Sequence, residues 1–355
     1  MATIRIPEVV PSPVQDSEKL QKAFLGTFFL LSLYAQLISL SLSLSFSISF
    51  SDMSKSVCCW FKGLGTDEKA IIRILGRRDA SQRKKIREAY HQLYDKSLID
   101  FLFAELSGDF RKAVILWTYD PAERDARLAN EALKSKKKNI TQLQVLVEIA
   151  CSTSPHHLVA VRKAYCSLFD ASLEEDIISN VSLPLQKMLV RLVSSYRYDK
   201  EVVDSTIANT EAAKLHEAIK AKKLDDDELV SILSTRNIFQ LRETFQRYKD
   251  NYGKSIDQDI MACGKGLFES IMKVMIWCID SPEKHFAEVI RAAIIGLGSD
   301  EDSLTRAIVS RAEIDMMKIR SEYFNVDKNG LDNAVIGDTS GDYKDFLMTL
   351  LGAKI

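Results

Sequence analysis

The sequence carries FKGLGTDEKAII at residues 61–72 and a near copy, IIGLGSDEDSL, at residues 294–304. Each reads as a Gly-x-Gly loop, then Thr66 or Ser299, then two acids, then an apolar-periodic run. That order predicts a helix start. The hydroxyl is expected to cap free backbone N–H groups, and the acids sit at the positive end of the helix dipole. The glycines permit backbone conformations that a side chain forbids, so such a loop can turn several carbonyls toward one point. Converging carbonyl oxygens suit a hard cation such as Ca²⁺. One copy alone reads better as a Gly-rich turn between two helices, because a single short motif discriminates poorly.

The two copies belong to a longer repeat. Tyr90, Tyr165, Tyr248 and Tyr323 anchor it, with spacings of 75, 83 and 75 residues. Eight residues after each stands Leu98, Leu173, Ile256 or Leu331, and twelve before stands Arg78, Thr153, Arg236 or Arg311. Apolar clusters in IIRIL, LVEIA, LVSIL and LTRAI precede the anchors at matching distances. The chain therefore divides into four units of about 70 residues, each with amphipathic helices at a period near 3.6 and no convincing strand. The expected boundaries are 1–120 (interrupted at 25–61), 124–195, 206–280 and 283–355.

Counted without a gap, the loop-glycine positions hold Gly63 and Gly65 in unit 1 and Gly296 and Gly298 in unit 4. Unit 2 has Lys138 and Ile140 there, and unit 3 has Ala221 and Lys223. Fifteen residues after the tyrosine stand Glu105, Asn180, Cys263 and Asp338. The two units with glycine loops are the two with a distant carboxylate. Carbonyls alone leave a doubly charged ion uncompensated, and a carboxylate supplies the anionic oxygens a Ca²⁺ site usually includes.

Composition narrows the class. The 355 residues are 46% hydrophobic and 27% charged, with 14 Gly and 7 Pro, which favours a large helical core. A formal charge of −1 gives no global attraction to nucleic acid. Six cysteines without a CxxC pair read as reduced thiols in an intracellular protein.

At these residues the chain resembles an annexin of the plant type. The resemblance covers residues 1–24 and 62–355 and includes LWTYDPAERDA (116–126), LVSSYRYDKEVV (192–203) and IGDTSGDYKDFLMTLLG (336–352). It implies an all-α curved disc of four five-helix repeats, with calcium loops on the convex face that bridge to acidic phospholipid. Carried over by position, the site in unit 1 is the carbonyls of Phe61, Gly63 and Gly65 with Glu105. In unit 4 it is the carbonyls of Ile294, Gly296 and Gly298 with Asp338. Leu64 and Leu297 are expected at the lipid interface. The implied protein is non-enzymatic and cytoplasmic, docks peripherally on membranes when Ca²⁺ rises, and serves membrane and calcium stress responses. The alternatives are a peroxidase-like or nucleotide-hydrolysing enzyme on the same scaffold, or a membrane-inserted, channel-like protein. Some plant annexins have a histidine where Arg77 stands, linked to peroxidase-like activity, and its absence argues against that enzyme. No G-x4-GK[ST] phosphate loop exists either.

Residues 23–51 carry no charge and meet the crude length and apolarity test for a membrane span. Their Ser density and S-L-S-L alternation suit a span poorly. Aligned on unit 4, QKAF (21–24) followed directly by KGLGTD (62–67) fits without a gap, so the 37 residues Leu25–Phe61 read as an insertion. The low-complexity segment resembles a translated intron more than a membrane element or a disordered loop.

Smaller signals complete the reading. The lysines of KSKKK (Lys134, Lys136, Lys137, Lys138) and KAKK (Lys220, Lys222, Lys223) fall in the degenerate loops of units 2 and 3. Fixed positive charge there is expected to touch acidic lipid and partly replace calcium. Cys151 and Cys278 stand where plant annexins keep cysteines in paired repeats, and are read as buried thiols or as a redox-sensitive pair. IRI (72–74) resembles an actin-binding tripeptide proposed for annexins, but its isoleucines lie in an apolar helix and read as core. NVDKNGLDNAVI (325–336) starts like an EF-hand loop yet ends on Ile336, so it reads as a turn. The pair His156–His157 is expected on a solvated helix face.

Overall fold

The computed structural model describes residues 1–24, 65–295 and 300–353. Among these it has 20 helices and no strand. Five fall in each repeat. Repeat 1 has α1 (13–24), α2 (Glu68–Leu75), α3 (Ala80–Tyr94), α4 (Leu98–Glu105) and α5 (Gly108–Thr118). Repeat 2 has α6 (Pro121–Lys134), α7 (Ile140–Cys151), α8 (Pro155–Phe169), α9 (Leu173–Asn180) and α10 (Leu185–Ser194). Repeat 3 has α11 (Ser205–Lys220), α12 (Asp227–Thr235), α13 (Ile238–Tyr252), α14 (Ile256–Cys263) and α15 (Leu267–Asp280). Repeat 4 has α16 (Pro282–Ile295), α17 (Glu301–Arg311), α18 (Met316–Val326), α19 (Leu331–Asp338) and α20 (Gly341–Leu350).

Two compact units result. One joins Met1–Pro121 to Ala287–Ile355, and the other is Ala122–Phe286. In the first, α5 packs against α17 and α20, and α20 against α2. In the second, α7 packs against α15 and α11 against α13. The glycine-loop repeats, 1 and 4, thus share one unit, and repeats 2 and 3 share the other.

The anchors of the repeat are packing residues. Tyr90, Tyr165, Tyr248 and Tyr323 are all fully buried. Each hydroxyl finds a partner, as a buried phenol must: Tyr90 donates to Gln21 at 2.6 Å, Tyr248 to Asp259 at 2.9 Å, and Tyr165 and Tyr323 to Asp176 and Asp327. The arginine positions are ion pairs. Arg78 grips Asp16 of α1 through two hydrogen bonds of 2.7 and 3.0 Å, both groups buried. Arg236 pairs with Glu211 of α11, and Arg311 with Asp315. Removing one partner of a fully buried pair such as Arg78–Asp16 costs about 3–5 kcal/mol.

Three expectations need correction. The N-cap of α2 is Asp67, whose carboxylate accepts from Ala70 N–H at 2.9 Å, and that of α17 is Asp300, which accepts from Ser303 N–H. Aspartate caps as well as a hydroxyl does, and this releases Thr66 for another contact. The ungapped register fails in the middle repeats. The caps Asp67, Asn139, Asp226 and Asp300 lie 23, 26, 22 and 23 residues before their tyrosines. Ile140 is therefore the first residue of α7, and the true loop-glycine counterparts are Ser135 and Lys137, then Lys222 and Leu224. His157 is not simply solvated: its Nε2 lies 2.7 Å from buried Asp125. Within 325–336 the turn between two helices is residues 327–330, with Asp327 after α18 and Gly330 at φ 80° before α19.

Candidate metal centre

Repeats 1 and 4 enclose one acidic cleft of about 370 Å³, lined by Glu68, Glu105, Asp109, Glu301, Asp338 and Asp342, with Tyr343 and the hydroxyls of Ser107, Thr339 and Ser340. The six acids form three register pairs. Glu68 and Glu301 lie 22 residues before their tyrosines, Glu105 and Asp338 lie 15 after, and Asp109 and Asp342 lie 19 after. Only the middle pair was singled out from sequence. The same ruler finds the outer two: Glu68 and Glu301 were read from sequence only as acids at a helix start, and Asp109 and Asp342 were not singled out.

In repeat 1 the loop end and the carboxylate meet. Gly65 adopts φ 116°, a conformation that suits glycine and strains any other residue. Next to it, buried Thr66 donates its hydroxyl to Glu105 Oε2 at 3.2 Å, linking positions 39 residues apart. Glu105 closes α4, and Asp338 occupies the same place at the end of α19.

Electrostatics in the cleft favour a cation. Burial raises the pKa of Asp338, and the nearby Glu301 carboxylate raises it further. Asp338 Oδ2 is inaccessible to solvent and has no hydrogen-bond partner, so one anionic oxygen is desolvated without compensation. Burial also raises Glu68, helped by Asp342 and Asp67 and opposed by its own backbone N–H. Hard carboxylate and carbonyl oxygens with an orphaned anionic oxygen fit Ca²⁺. Ile294 is the second-last residue of α16, so its carbonyl is among those a helix end leaves without an i+4 partner. Phe61, Gly63, Leu64, Gly296, Leu297, Gly298 and the segment 25–61 lie outside the described residues. Among the described residues no cluster of three metal-ligating side chains forms.

The lysines divide into two groups. Lys136, Lys137, Lys220, Lys222 and Lys223 are exposed. Lys134 instead bonds Asp176 at 2.9 Å, and Lys138 folds back onto its own loop, donating to Leu133 O and to Ser135 O. Cys151 and Cys278, on the packed helices α7 and α15, are each about 1% exposed and neither is in a disulfide. Burial raises the Cys151 thiol pKa against the opposing Arg197 guanidinium, so the reactive thiolate is disfavoured. Ile72 and Ile74 of the IRI tripeptide are buried, in keeping with packing.

The annexin family model matches residues 60–117, 124–192, 210–275 and 285–350. Annexin D3 of Arabidopsis thaliana is 56% identical over 358 residues, covering 100% of each chain. The Annexin-like protein RJ4 of Fragaria ananassa is 48% identical over 293 residues, which cover 82% of this chain and 92% of that one. Among solved structures, annexin III superposes with a TM-score of 0.83 at 29% identity, covering 100% of this chain and 98% of its own.

Proposed function

The chain belongs to the annexin family, whose ion is Ca²⁺ and whose members bind phospholipid in a calcium-dependent way; from that premise we propose that it docks on acidic membranes through repeats 1 and 4. The observation that carries this reading is the cleft between those repeats, where register-paired carboxylates converge and Asp338 Oδ2 has no partner. Glu105 and Asp338 supply the anionic oxygens. The carbonyls of Phe61, Gly63 and Gly65, and of Ile294, Gly296 and Gly298, supply the neutral ones. Ca²⁺, when bound, offers further coordination positions to phosphate oxygens of the lipid. Thr66 holds Glu105 beside the loop end before any ion arrives, and Gly65 next to it adopts a φ of 116° that glycine tolerates. Neither protein nor lipid alone completes the shell, so affinity depends steeply on calcium.

The function proposed is binding rather than catalysis. Arg77 stands where the peroxidase-linked histidine would be, and the cleft acids serve as metal oxygens. The protein acts in the cytoplasm, peripherally on membranes, in calcium and membrane stress responses. No helix among the described residues is long and apolar enough to cross a membrane.

The test is co-sedimentation of the full chain with phosphatidylserine vesicles, first in calcium and then in chelator. Much stronger pelleting in calcium than in chelator is expected. Pelleting that calcium does not increase, or none, would refute the bridging mechanism.

A further inference from the structure

Repeats 2 and 4 have loops of equal length, because α6 ends five residues before Asn139 and α16 ends five before Asp300. Position for position, Leu133 matches Ile294, Ser135 matches Gly296, and Lys138 matches Ser299. Leu133 and Ser135 therefore stand at two of the three places assigned to calcium-binding carbonyls. Lys138 Nζ donates to both, reaching Ser135 O at 2.8 Å and Leu133 O more closely still. The third element changes in concert, since the carboxylate position holds neutral Asn180, whose amide turns away to Asp176 O.

We propose that Lys138 is a built-in cation: its ammonium replaces Ca²⁺ in the repeat-2 loop and forms a metal-free subsite for a phosphate oxygen of an acidic lipid headgroup. This rests on the membrane-docking reading above.

The charge balance supports it. A doubly charged ion beside one carboxylate leaves one net positive charge, and an ammonium beside a neutral asparagine leaves the same. The donor count supports it as well. An ammonium has three N–H donors, and two of them are spent on the loop carbonyls. The remaining donor is the counterpart of an open coordination position. Lys134 does not compete for the headgroup, because Asp176 already binds it. Repeat 3 shows what an unsubstituted loop does. There Lys222, at φ 57°, closes α11 through backbone bonds from Lys222 N to Ile219 O and from Lys223 N to Ala218 O. Cys263 holds the carboxylate position and donates to Ile219 O, and the loop lysines stay exposed. The tethered ammonium is therefore a property of Lys138 and not of lysine-rich loops in general.

The test uses the full chain with phosphatidylserine-containing vesicles in chelator. Lys138→Gln should lower vesicle partitioning about fivefold or more, the effect of about one lysine charge at an anionic surface, and by more than Lys137→Gln does. Asn180→Asp, which leaves the lysine in place but neutralises the subsite, should weaken partitioning similarly. Equal losses from Lys138→Gln and Lys137→Gln would make Lys138 one charge among several and overturn the proposal. Calorimetry with calcium alone gives a second reading. A variant carrying Lys138→Gly and Asn180→Glu should bind one more Ca²⁺ per chain than the wild type, and no gain would refute the equivalence of ammonium and metal. This arm needs no vesicle, so it still decides if the wild type fails to pellet and the docking reading falls. Acetylation mapping separates the phosphate sources: vesicles should protect Lys138, and protection by inorganic phosphate at equal concentration would overturn the lipid assignment.

Discussion

Gly65, Thr66 and Glu105 form one small device, in which the φ of 116° at Gly65 turns the chain so that the Thr66 hydroxyl meets Glu105. Removing the carboxylate should hurt more than removing the hydroxyl. Glu105→Gln, and Asp338→Asn in repeat 4, are expected to raise the calcium needed for half-maximal vesicle binding about tenfold or more, since a charged partner contributes about 1.5–3 kcal/mol. Thr66→Val should raise it less, because it removes only the hydroxyl that positions Glu105 and leaves the carboxylate oxygens in place to meet the ion. Calcium titration of vesicle co-sedimentation checks both, and an equal effect of Thr66→Val and Glu105→Gln would refute the ordering. These residues were legible because glycine pattern and distant carboxylate co-occur in two repeats and fail together in the other two. The cap was not. Thr66 and Asp67 are both good cap residues, and only the tertiary contact with Glu105 decides which one caps. The fold of Lys138 onto its own loop was also hidden, because a counting register gives positions but not the direction of a flexible side chain.

Helices in this chain are fixed by polar pairs as much as by apolar faces. At the start of α6, Asp125 is held by Arg124 at 2.7 Å and by His157 of α8 at 2.7 Å, with the aspartate and arginine buried. Burial alone would raise the Asp125 pKa, but Arg124 and His157 outweigh it and the net shift is downward. A carboxylate with a depressed folded pKa contributes stability that is present above its unfolded value and lost as pH falls through the folded one. Asp125→Asn should therefore cost about 3–5 kcal/mol at neutral pH, as for one partner removed from a buried pair. The gap to the wild type should narrow below the ordinary carboxylate range. Urea unfolding at neutral and acid pH measures this, and a gap unchanged by acid would refute the assignment. His157 was misread from sequence because its partner lies 32 positions away on another helix. The helices themselves were readable, since apolar period and polar caps repeat: Ser97, Ser172 and Ser255 stand at the starts of α4, α9 and α14.

Across the whole chain, repeat 1 is assembled from two separated pieces. Ala23 O accepts from Asp67 N at 3.0 Å, and Ala293 O accepts from Asp300 N at 3.0 Å. The same closure thus spans 44 positions in repeat 1 and seven in repeat 4, a difference of 37. That difference equals the length of Leu25–Phe61, the stretch that breaks the repeat in the sequence. The family match to repeat 1 begins only at residue 60, on the far side of the break. Helix α1 nevertheless keeps its place in the repeat. Asp16 pairs with Arg78, Gln21 accepts from Tyr90, and Phe24 is fully buried against Phe101 at a ring distance of 5.2 Å. These contacts do not involve the interrupting residues. Deleting Leu25–Phe61 joins Phe24 to Lys62 with the spacing of repeat 4, and closing a shorter loop costs less chain entropy, by about (3/2)RT times the logarithm of the length ratio. The deletion is therefore expected to leave the helical content intact, to raise the melting temperature, and to retain calcium-dependent vesicle binding. Circular dichroism melts and co-sedimentation of the two chains side by side provide the check. A shortened chain that melts lower, or that loses calcium binding in repeat 1 while repeat 4 still binds, would show that the 37 residues belong to the fold and that the ruler drawn from repeat 4 does not hold for repeat 1.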